Sequence, residues 1–172
     1  KSEDKGNTWK QISSNLPERG SVYSIEEDHI DPNLIFCGTE FGAFFSPDSG
    51  GSWKQLSAGL PTIAVRDIAI QRRENDLVLG TFGRGFYVMD DYSVLRSIDN
   101  SDKPLGDKIF DVRDALMWEK ANPLGLPGKA FQGDNFYLAQ NLDPVAIFTY
   151  NYSEKFESLK SKRQQAEKKL IK

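Results

Sequence analysis

The chain contains few of the residues that build metal and redox sites. Of its 172 residues, one is histidine and one is cysteine. A single cysteine cannot form a disulfide within the chain, and Cys37 lies in the apolar run Leu34–Cys37, which favours a buried structural thiol over a nucleophile. His29 stands alone, so a histidine-rich metal site within the chain is excluded. We therefore expect no metal site and no other cofactor.

Long apolar runs and an excess of basic residues are also absent. No apolar stretch approaches the roughly 20 residues that a transmembrane helix needs, so no membrane span is predicted. The 22 Lys and Arg residues are outnumbered by 25 Asp and Glu residues, which gives no electrostatic reason to expect nucleic acid as a partner. With 38% hydrophobic and 12% aromatic residues, the composition is that of an ordinary globular protein.

A repeated segment is the strongest pattern in the sequence. The segment that begins at Ser2 recurs at Ser46, 44 positions later, and the match continues where Leu16-Pro17 is answered by Leu60-Pro61. This spacing falls within the roughly 40–50 residues of a four-stranded propeller blade. The two copies read Ser-Glu-Asp-Lys-Gly-Asn-Thr-Trp-Lys-Gln-Ile and Ser-Pro-Asp-Ser-Gly-Gly-Ser-Trp-Lys-Gln-Leu.

Two β-hairpins are predicted between these segments and after them. Residues 34–45 and 77–88 each read as an apolar run, a Gly-Thr turn and a second apolar run, with glycines at the turn positions that need a positive φ. Further strands are predicted at Val22–Ile25 and Val65–Ile70. The sequence thus predicts one complete blade from Val22 to Ser57 and a partial blade that ends without the repeated motif.

The repeated motif has the spacing of a tight hairpin turn. Its Asp carboxylate can accept backbone N–H bonds, its Gly permits a left-handed conformation, and its Trp opens the next strand, where it should pack between sheets. A catalytic or metal-binding role for the aspartates is the alternative, but a catalytic residue would hardly recur in every blade. The predicted structural residues are Ser2, Asp4, Gly6, Thr8 and Trp9 in the first copy and Ser46, Asp48, Gly50, Ser52 and Trp53 in the second.

The motif resembles the Asp box, or bacterial neuraminidase repeat, of the β-propeller group that includes sialidases, xyloglucanases and sortilin-type receptors. The segment Gly80–Asp91 looks like the closing blade of large bacterial sortilin-like proteins described as glycosyl hydrolases. The resemblance implies that the Asp box lies on the outer turn between the third and fourth strands, away from the functional face. It also implies a secreted or periplasmic bacterial protein.

The composition changes after Ile98. We expect a partial propeller over residues 1–98, a linker over 99–107 and the start of a second module over 108–172. In that module Lys108–Val112 and Val145–Tyr152 are predicted strands, and Ser153 is predicted to cap a terminal helix. The resemblance implies a β-sandwich-like module here. The expected fold class is mainly β: four-stranded antiparallel Asp-box blades, a short linker, a β segment and a C-terminal helix.

Three functions remain open from the sequence. The first is glycan or polypeptide binding on the propeller face, with the remaining blades of a parent propeller or another copy as partners. The second is part of a sialidase- or xyloglucanase-like glycoside hydrolase whose two carboxylates lie mostly outside this chain. The third is a scaffold that associates with itself through an exposed blade edge. The candidate ligand-facing residues are Arg66, Asp67 and Arg84, although a surface or inter-blade hydrogen bond is the alternative role for Arg84.

Overall fold

The computed structural model describes residues 1–98, 105–115, 117–119, 143–153 and 157–170. These residues form antiparallel sheets and one short C-terminal helix, which confirms the prediction of a mainly β chain. They form no closed barrel and no complete propeller ring. The chain divides into two compact units, Lys1–Leu105 and Gly106–Lys172, and each is described by itself.

The first sheet is a four-stranded antiparallel meander in which every strand pairs with the next one along the chain. Its two central strands are buried along their whole length, because apolar side chains lie on both of their faces. Its strands are β1 (Val22–Glu27), β2 (Ile35–Thr39), β3 (Gly42–Ser46) and β4 (Lys54–Leu56).

The second sheet repeats the first three strands of the first sheet. A β-bulge lies between Val22 and Ser24 in β1, and the same irregularity lies between Val65 and Asp67 in the second sheet. A 3-10 helix, Tyr92–Ser97, follows the third strand where the first sheet has a turn and a fourth strand. The strands of the second sheet are β5 (Val65–Gln71), β6 (Asp76–Thr81) and β7 (Phe86–Met89).

The two sheets pack face to face and enclose the main core. Phe36 and Phe45 of the first sheet lie against Val65, Leu77 and Leu79 of the second, and all five side chains are buried. Burial of large apolar side chains of this kind contributes about 1.5–3 kcal/mol each. The sheets are therefore held together mainly by the hydrophobic effect.

Each sheet is covered on one face by the same part of the repeat. Leu56 and Leu60 pack against the core between the two sheets. Ile12 and Leu16, which lie 44 positions earlier, pack in the same way against the other face of the first sheet, over Ile35, Cys37, Phe44 and Trp53. The segment that precedes a sheet thus covers that sheet in both repeats.

In the C-terminal unit the strands are shorter than the sequence predicts. Strand β8 is Lys108–Ile109 and strand β9 is Tyr150–Asn151, where Lys108–Val112 and Val145–Tyr152 were expected. Among the described residues of this unit, the two strands pair only with each other, antiparallel, with Ile109 opposite Tyr150. The ladder is limited to two residues in each strand, although the longer predicted segments have high β-propensity.

The terminal helix α1 (Leu159–Leu170) begins later than predicted. Ser158 caps it, because its Oγ accepts from the backbone N of Ser161 at 3.2 Å and its carbonyl accepts from Lys162 at 3.0 Å. Ser153, the predicted cap, instead donates from Oγ and N to Asp107 Oδ1 at 2.6 and 2.7 Å. These bonds hold the pKa of Asp107 below its usual value. The prediction that Ser153 caps the helix is wrong.

Candidate functional site

Both copies of the repeated motif form the same hydrogen-bonded turn. Ser2 Oγ donates to Asp4 Oδ1 at 2.8 Å and accepts from the N–H of Gly6 at 2.7 Å. Ser46 Oγ donates to Asp48 Oδ1 at 2.6 Å, and the N–H of Gly50 donates to Ser46 Oγ at 2.8 Å. In both turns the serine hydroxyl therefore bridges the carboxylate and the glycine backbone.

The aspartate carboxylates also accept hydrogen bonds from backbone N–H groups four residues later. The backbone N–H of Thr8 donates to Asp4 at 2.8 Å, and that of Ser52 donates to Asp48 at 2.9 Å. The glycine after the turn is left-handed in both copies, with φ of 94° at Gly6 and 90° at Gly50. Hydrogen bonds from Thr8 and Ser2 lower the pKa of Asp4 to about 2. This arrangement uses the carboxylates to hold the backbone, which is a structural role.

Substituting the motif aspartate by alanine should destabilise the packed turn more than the exposed turn. Asp48→Ala removes the acceptor for Ser46 and Ser52 beside buried Trp53, and we expect it to lower the free energy of unfolding by about 2 kcal/mol. Asp4→Ala is the matched control, because its turn is exposed, and we expect a smaller loss. Urea unfolding checks both; a larger loss for Asp4→Ala would contradict this structural role.

The two motif tryptophans lie in different environments. Trp53 is buried, its Nε1 donates to the carbonyl of Ile12 at 2.6 Å, and its backbone N donates to Asn15 Oδ1 at 2.8 Å. Trp9 is exposed, and its Nε1 donates to the carbonyl of Gly6 at 3.1 Å. The expectation that Trp9 packs between sheets is wrong for this structure, because the described residues place no sheet beneath it.

The 3-10 helix stands where a third copy of the motif turn would lie. Its first residue, Tyr92, donates its backbone N–H to the carbonyl of Asn75 at 2.8 Å. In the first sheet, Ser49 of the second motif makes the same bond to the carbonyl of Asn33, also at 2.8 Å. Asp91 is left-handed, with φ of 47°, and caps the helix. The segment keeps the backbone contact of the motif while carrying different side chains.

A buried charge cluster at this position is a feature that sequence reasoning missed. Asp28, which follows β1, is almost fully buried and accepts hydrogen bonds from Arg96 Nε at 2.7 Å and Arg96 Nη2 at 2.8 Å. It also accepts a short hydrogen bond from the hydroxyl of Tyr92. Arg96 Nη2 donates in addition to Asn75 Oδ1 at 2.8 Å. The cluster joins the 3-10 helix of the second sheet to the turn after β1 of the first.

The electrostatics of the cluster indicate a structural role. Burial alone would raise the pKa of Asp28, but the hydrogen bonds from Arg96 and Tyr92 outweigh burial and hold that pKa well below its usual range. Burial and the bond to Asp28 raise the pKa of Tyr92, so the phenol stays protonated. Although His29 Nδ1 lies 3.3 Å from the Tyr92 hydroxyl, Asp28 and Tyr92 are buried and a substrate could not reach them.

The predicted ligand-facing residues lie together at one end of the second sheet. Arg66 and Asp67 are near the start of β5, and Arg84 is in the turn between β6 and β7. The antiparallel register puts the start of β5 beside that turn, since Val65 pairs with Thr81. The turn of the second motif follows the end of β3 and the 3-10 helix follows the end of β7, at the opposite end of the sheets.

The guanidinium of Arg66 lies over two aromatic rings. Its guanidinium carbon lies 3.9 Å from the ring centroid of Tyr23 in β1 and 5.3 Å from that of Phe82 in the turn after β6. Among the described residues, the guanidinium N–H groups of Arg66 have no hydrogen-bond acceptor. A guanidinium that lies over aromatic faces can still donate its N–H groups to a ligand. We call Tyr23, Arg66 and Phe82 the arginine platform.

The neighbours of the platform are polar and exposed. Asp67 accepts a hydrogen bond from the backbone N of Ile68 at 3.0 Å, and its side chain lies next to Gly80. Arg84 is exposed in a turn that is closed by Thr81, whose Oγ1 donates to the carbonyl of Gly85 at 2.8 Å. The platform and these residues can bind a ligand through stacking and hydrogen bonds.

No family model, curated protein or solved structure matches this chain. Within the described ranges, no group of three or more His, Cys, Asp or Glu side chains is placed to hold a metal ion. No helix among those residues is long and apolar enough to cross a membrane.

Proposed function

We propose that Lys1–Ile98 belongs to an Asp-box β-propeller, as the end of one blade, one complete blade and a partial closing blade. The support comes from repetition at three levels: the turn hydrogen bonds, the bulge in the first strand, and the leucine or isoleucine pair that covers each sheet. A blade buries its faces only against neighbouring blades, so each level of repetition fits stacked sheets.

We further propose that the chain binds a glycan or a polypeptide at the sheet end opposite the second Asp-box turn. The arginine platform is the observation that carries this proposal. Aromatic rings offer flat apolar faces to the C–H surfaces of sugars or to side chains, and a stacked guanidinium offers donors in a fixed plane to hydroxyl or carbonyl oxygens. The exposed turn of Arg84 lies at the same end and extends the surface.

Removing the guanidinium tests this function. We expect Arg66→Ala to weaken retention on immobilised glycans or peptides at least about fivefold, because an anchoring arginine commonly contributes about 1 kcal/mol or more to binding. Arg66→Lys keeps the charge but loses the planar fork, so its loss should lie in between. Arg72→Ala is the matched control, since Arg72 is exposed at the other end of β5.

The assay uses polysaccharide and peptide panels with affinity electrophoresis or surface retention as the readout. Equal retention of the wild-type chain and Arg66→Ala on every ligand would place the ligand elsewhere. If no polysaccharide and no peptide retains the wild-type chain, the proposed binding function is rejected.

A further inference from the structure

We propose that the arginine platform selects a carboxylate-bearing glycan, in which one uronic acid unit meets Arg66 with its carboxylate and Phe82 with its sugar ring. This rests on the proposed binding function and names the ligand class of the same site. A uronic acid carries its carboxylate directly on the sugar ring, so both contacts come from one unit. Neutral glycans and acidic peptides are the competing ligands.

Two β-bulges bring the platform together. In the pairing of β1 with β2 the extra residue of the bulge is Tyr23, and in the pairing of β5 with β6 it is Arg66. A bulge aims a side chain away from the regular alternation of its strand, and bulges are common beside active sites. The two bulge residues meet, since the guanidinium carbon of Arg66 lies 3.9 Å from the ring centroid of Tyr23. Equivalent positions of the two repeats thus build one surface.

The charge of Arg66 is not neutralised within the described part of the chain. No Asp or Glu side chain among those residues forms an ion pair with Arg66 or Arg84, whereas Arg73 and Arg96 both pair with an acid. Acidic side chains outnumber basic ones in residues 1–98, so two arginines without acidic partners at one end of the second sheet stand out. Positive charge gathered in this way favours an anionic ligand.

The acidic side chains at this end contact other groups. Asp67 accepts a hydrogen bond from the backbone N of Ile68 at 3.0 Å and lies next to Gly80 in β6. Glu40 is in the turn between β2 and β3, and its carboxylate lies beside Gly20. Neither carboxylate therefore takes the place of an anionic ligand on the platform.

A carboxylate matches the donors of a guanidinium in shape. Both groups are planar, and the two carboxylate oxygens can accept two parallel N–H bonds from the edge of the guanidinium. Because these donors lie in the plane of the group, an aromatic ring against its face leaves them able to bind a ligand. The platform therefore offers a bidentate contact to a carboxylate.

Phe82 favours a sugar over an acidic side chain. Its ring centroid lies 5.3 Å from the guanidinium carbon of Arg66, and the side chain is 68% exposed. Its backbone N–H donates to the carbonyl of Ala64 at 2.9 Å, which holds the turn beside the start of β5. The C–H face of a sugar ring can pack on an aromatic ring, whereas an Asp or Glu side chain has no ring to place there.

Methyl esterification of one polysaccharide tests the carboxylate contact. Polygalacturonate carries a carboxylate on each sugar, and its methyl ester has the same backbone without the charge. We expect the full chain to retain polygalacturonate at least about fivefold more strongly than the ester, and Arg66→Ala to abolish this preference. Arg66→Lys should keep part of it. Arg72→Ala, the matched control beyond the other end of β5, should keep all of it.

Phe82→Ala tests the sugar ring. We expect it to weaken retention of polygalacturonate and of the ester by the same factor, because both have the ring, and to leave their ratio unchanged. Urea unfolding checks that each variant is folded. A loss confined to the acid form would contradict the contact between Phe82 and the sugar.

Polyglutamate and dextran sulfate, at equal charge and ionic strength, test whether charge alone suffices. Both should be retained more weakly than polygalacturonate, and equal or stronger retention of either would overturn the assignment to a uronic acid.

Failure of this inference and failure of the binding function give different results. Equal retention of acid and ester by the wild type, with both lost in Arg66→Ala, would reject the carboxylate preference and keep the platform as a binding site. Absence of retention on every glycan and peptide would reject the binding function and this inference with it.

Discussion

Replacing Arg96 by alanine is expected to lower the free energy of unfolding by about 3–5 kcal/mol, the range found when one partner of a buried ion pair is removed. The variant leaves Asp28 buried with two of its strongest hydrogen bonds lost. It also frees Asn75 and loosens the 3-10 helix. Urea unfolding of the wild type and the variant at neutral pH measures the difference.

An exposed ion pair is the control for this prediction. Arg73 Nε lies 2.8 Å from Glu74, but the Arg73 side chain is in water. Arg73→Ala should therefore cost less than about 1 kcal/mol. Similar losses for the two variants would show that the Asp28 cluster does not hold the sheets together.

The cluster also sets a pH dependence whose sign follows from Asp28. The pKa of Asp28 is held well below the value of about 3.9 that it has in the unfolded chain. Its contribution to stability is therefore complete above about pH 4 and is lost as the pH falls toward the folded pKa. In Arg96→Ala, uncompensated burial raises that pKa, so this contribution should vanish or reverse. Parallel stability curves below pH 4 would contradict this assignment.

The second large effect is expected at Gly38. Gly38→Ala places a methyl group 2.6 Å from both the Val65 carbonyl and Ser24 Oγ. Backbone must move to accommodate it, which costs about 2 kcal/mol or more in a packed core. The same substitution at Gly80 meets no atom closer than 3.5 Å and should be close to neutral.

The two variants carry the same substitution at equivalent strand positions of the two repeats. Both are compared with the wild type by urea unfolding under the same conditions. Equal destabilisation would mean that glycine is required by the strand itself rather than by the approach of a second sheet.

The sequence predicts those features that depend on neighbouring residues. The hairpins around Gly38 and Gly80 follow from local apolar runs and turn glycines. The turns at Asp4 and Asp48 follow from hydrogen bonds that span four residues or fewer. Because such interactions are encoded within one segment, a single sequence suffices to place them.

Contacts between distant segments are not predictable in this way. Asp28 meets Tyr92 and Arg96 across 64 and 68 residues, and nothing near Asp28 in the sequence indicates a buried partner. Arg66 was a candidate by its strand position, but its stacking on Tyr23 and Phe82 needs three separate elements to converge. Trp9 and Trp53 share a motif, yet their burial depends on what lies beneath each one.

Stacking of two equivalent sheets is the central claim, and the Gly38–Val65 contact tests it most directly. We would record nuclear Overhauser contacts between the α-protons of Gly38 and the methyl groups of Val65 in the dilute chain. Strong contacts are predicted, because a Cβ at Gly38 would lie 3.0 Å from Val65 Cγ1. Cross-strand contacts within each sheet, without any contact between the sheets, would contradict the stacked arrangement.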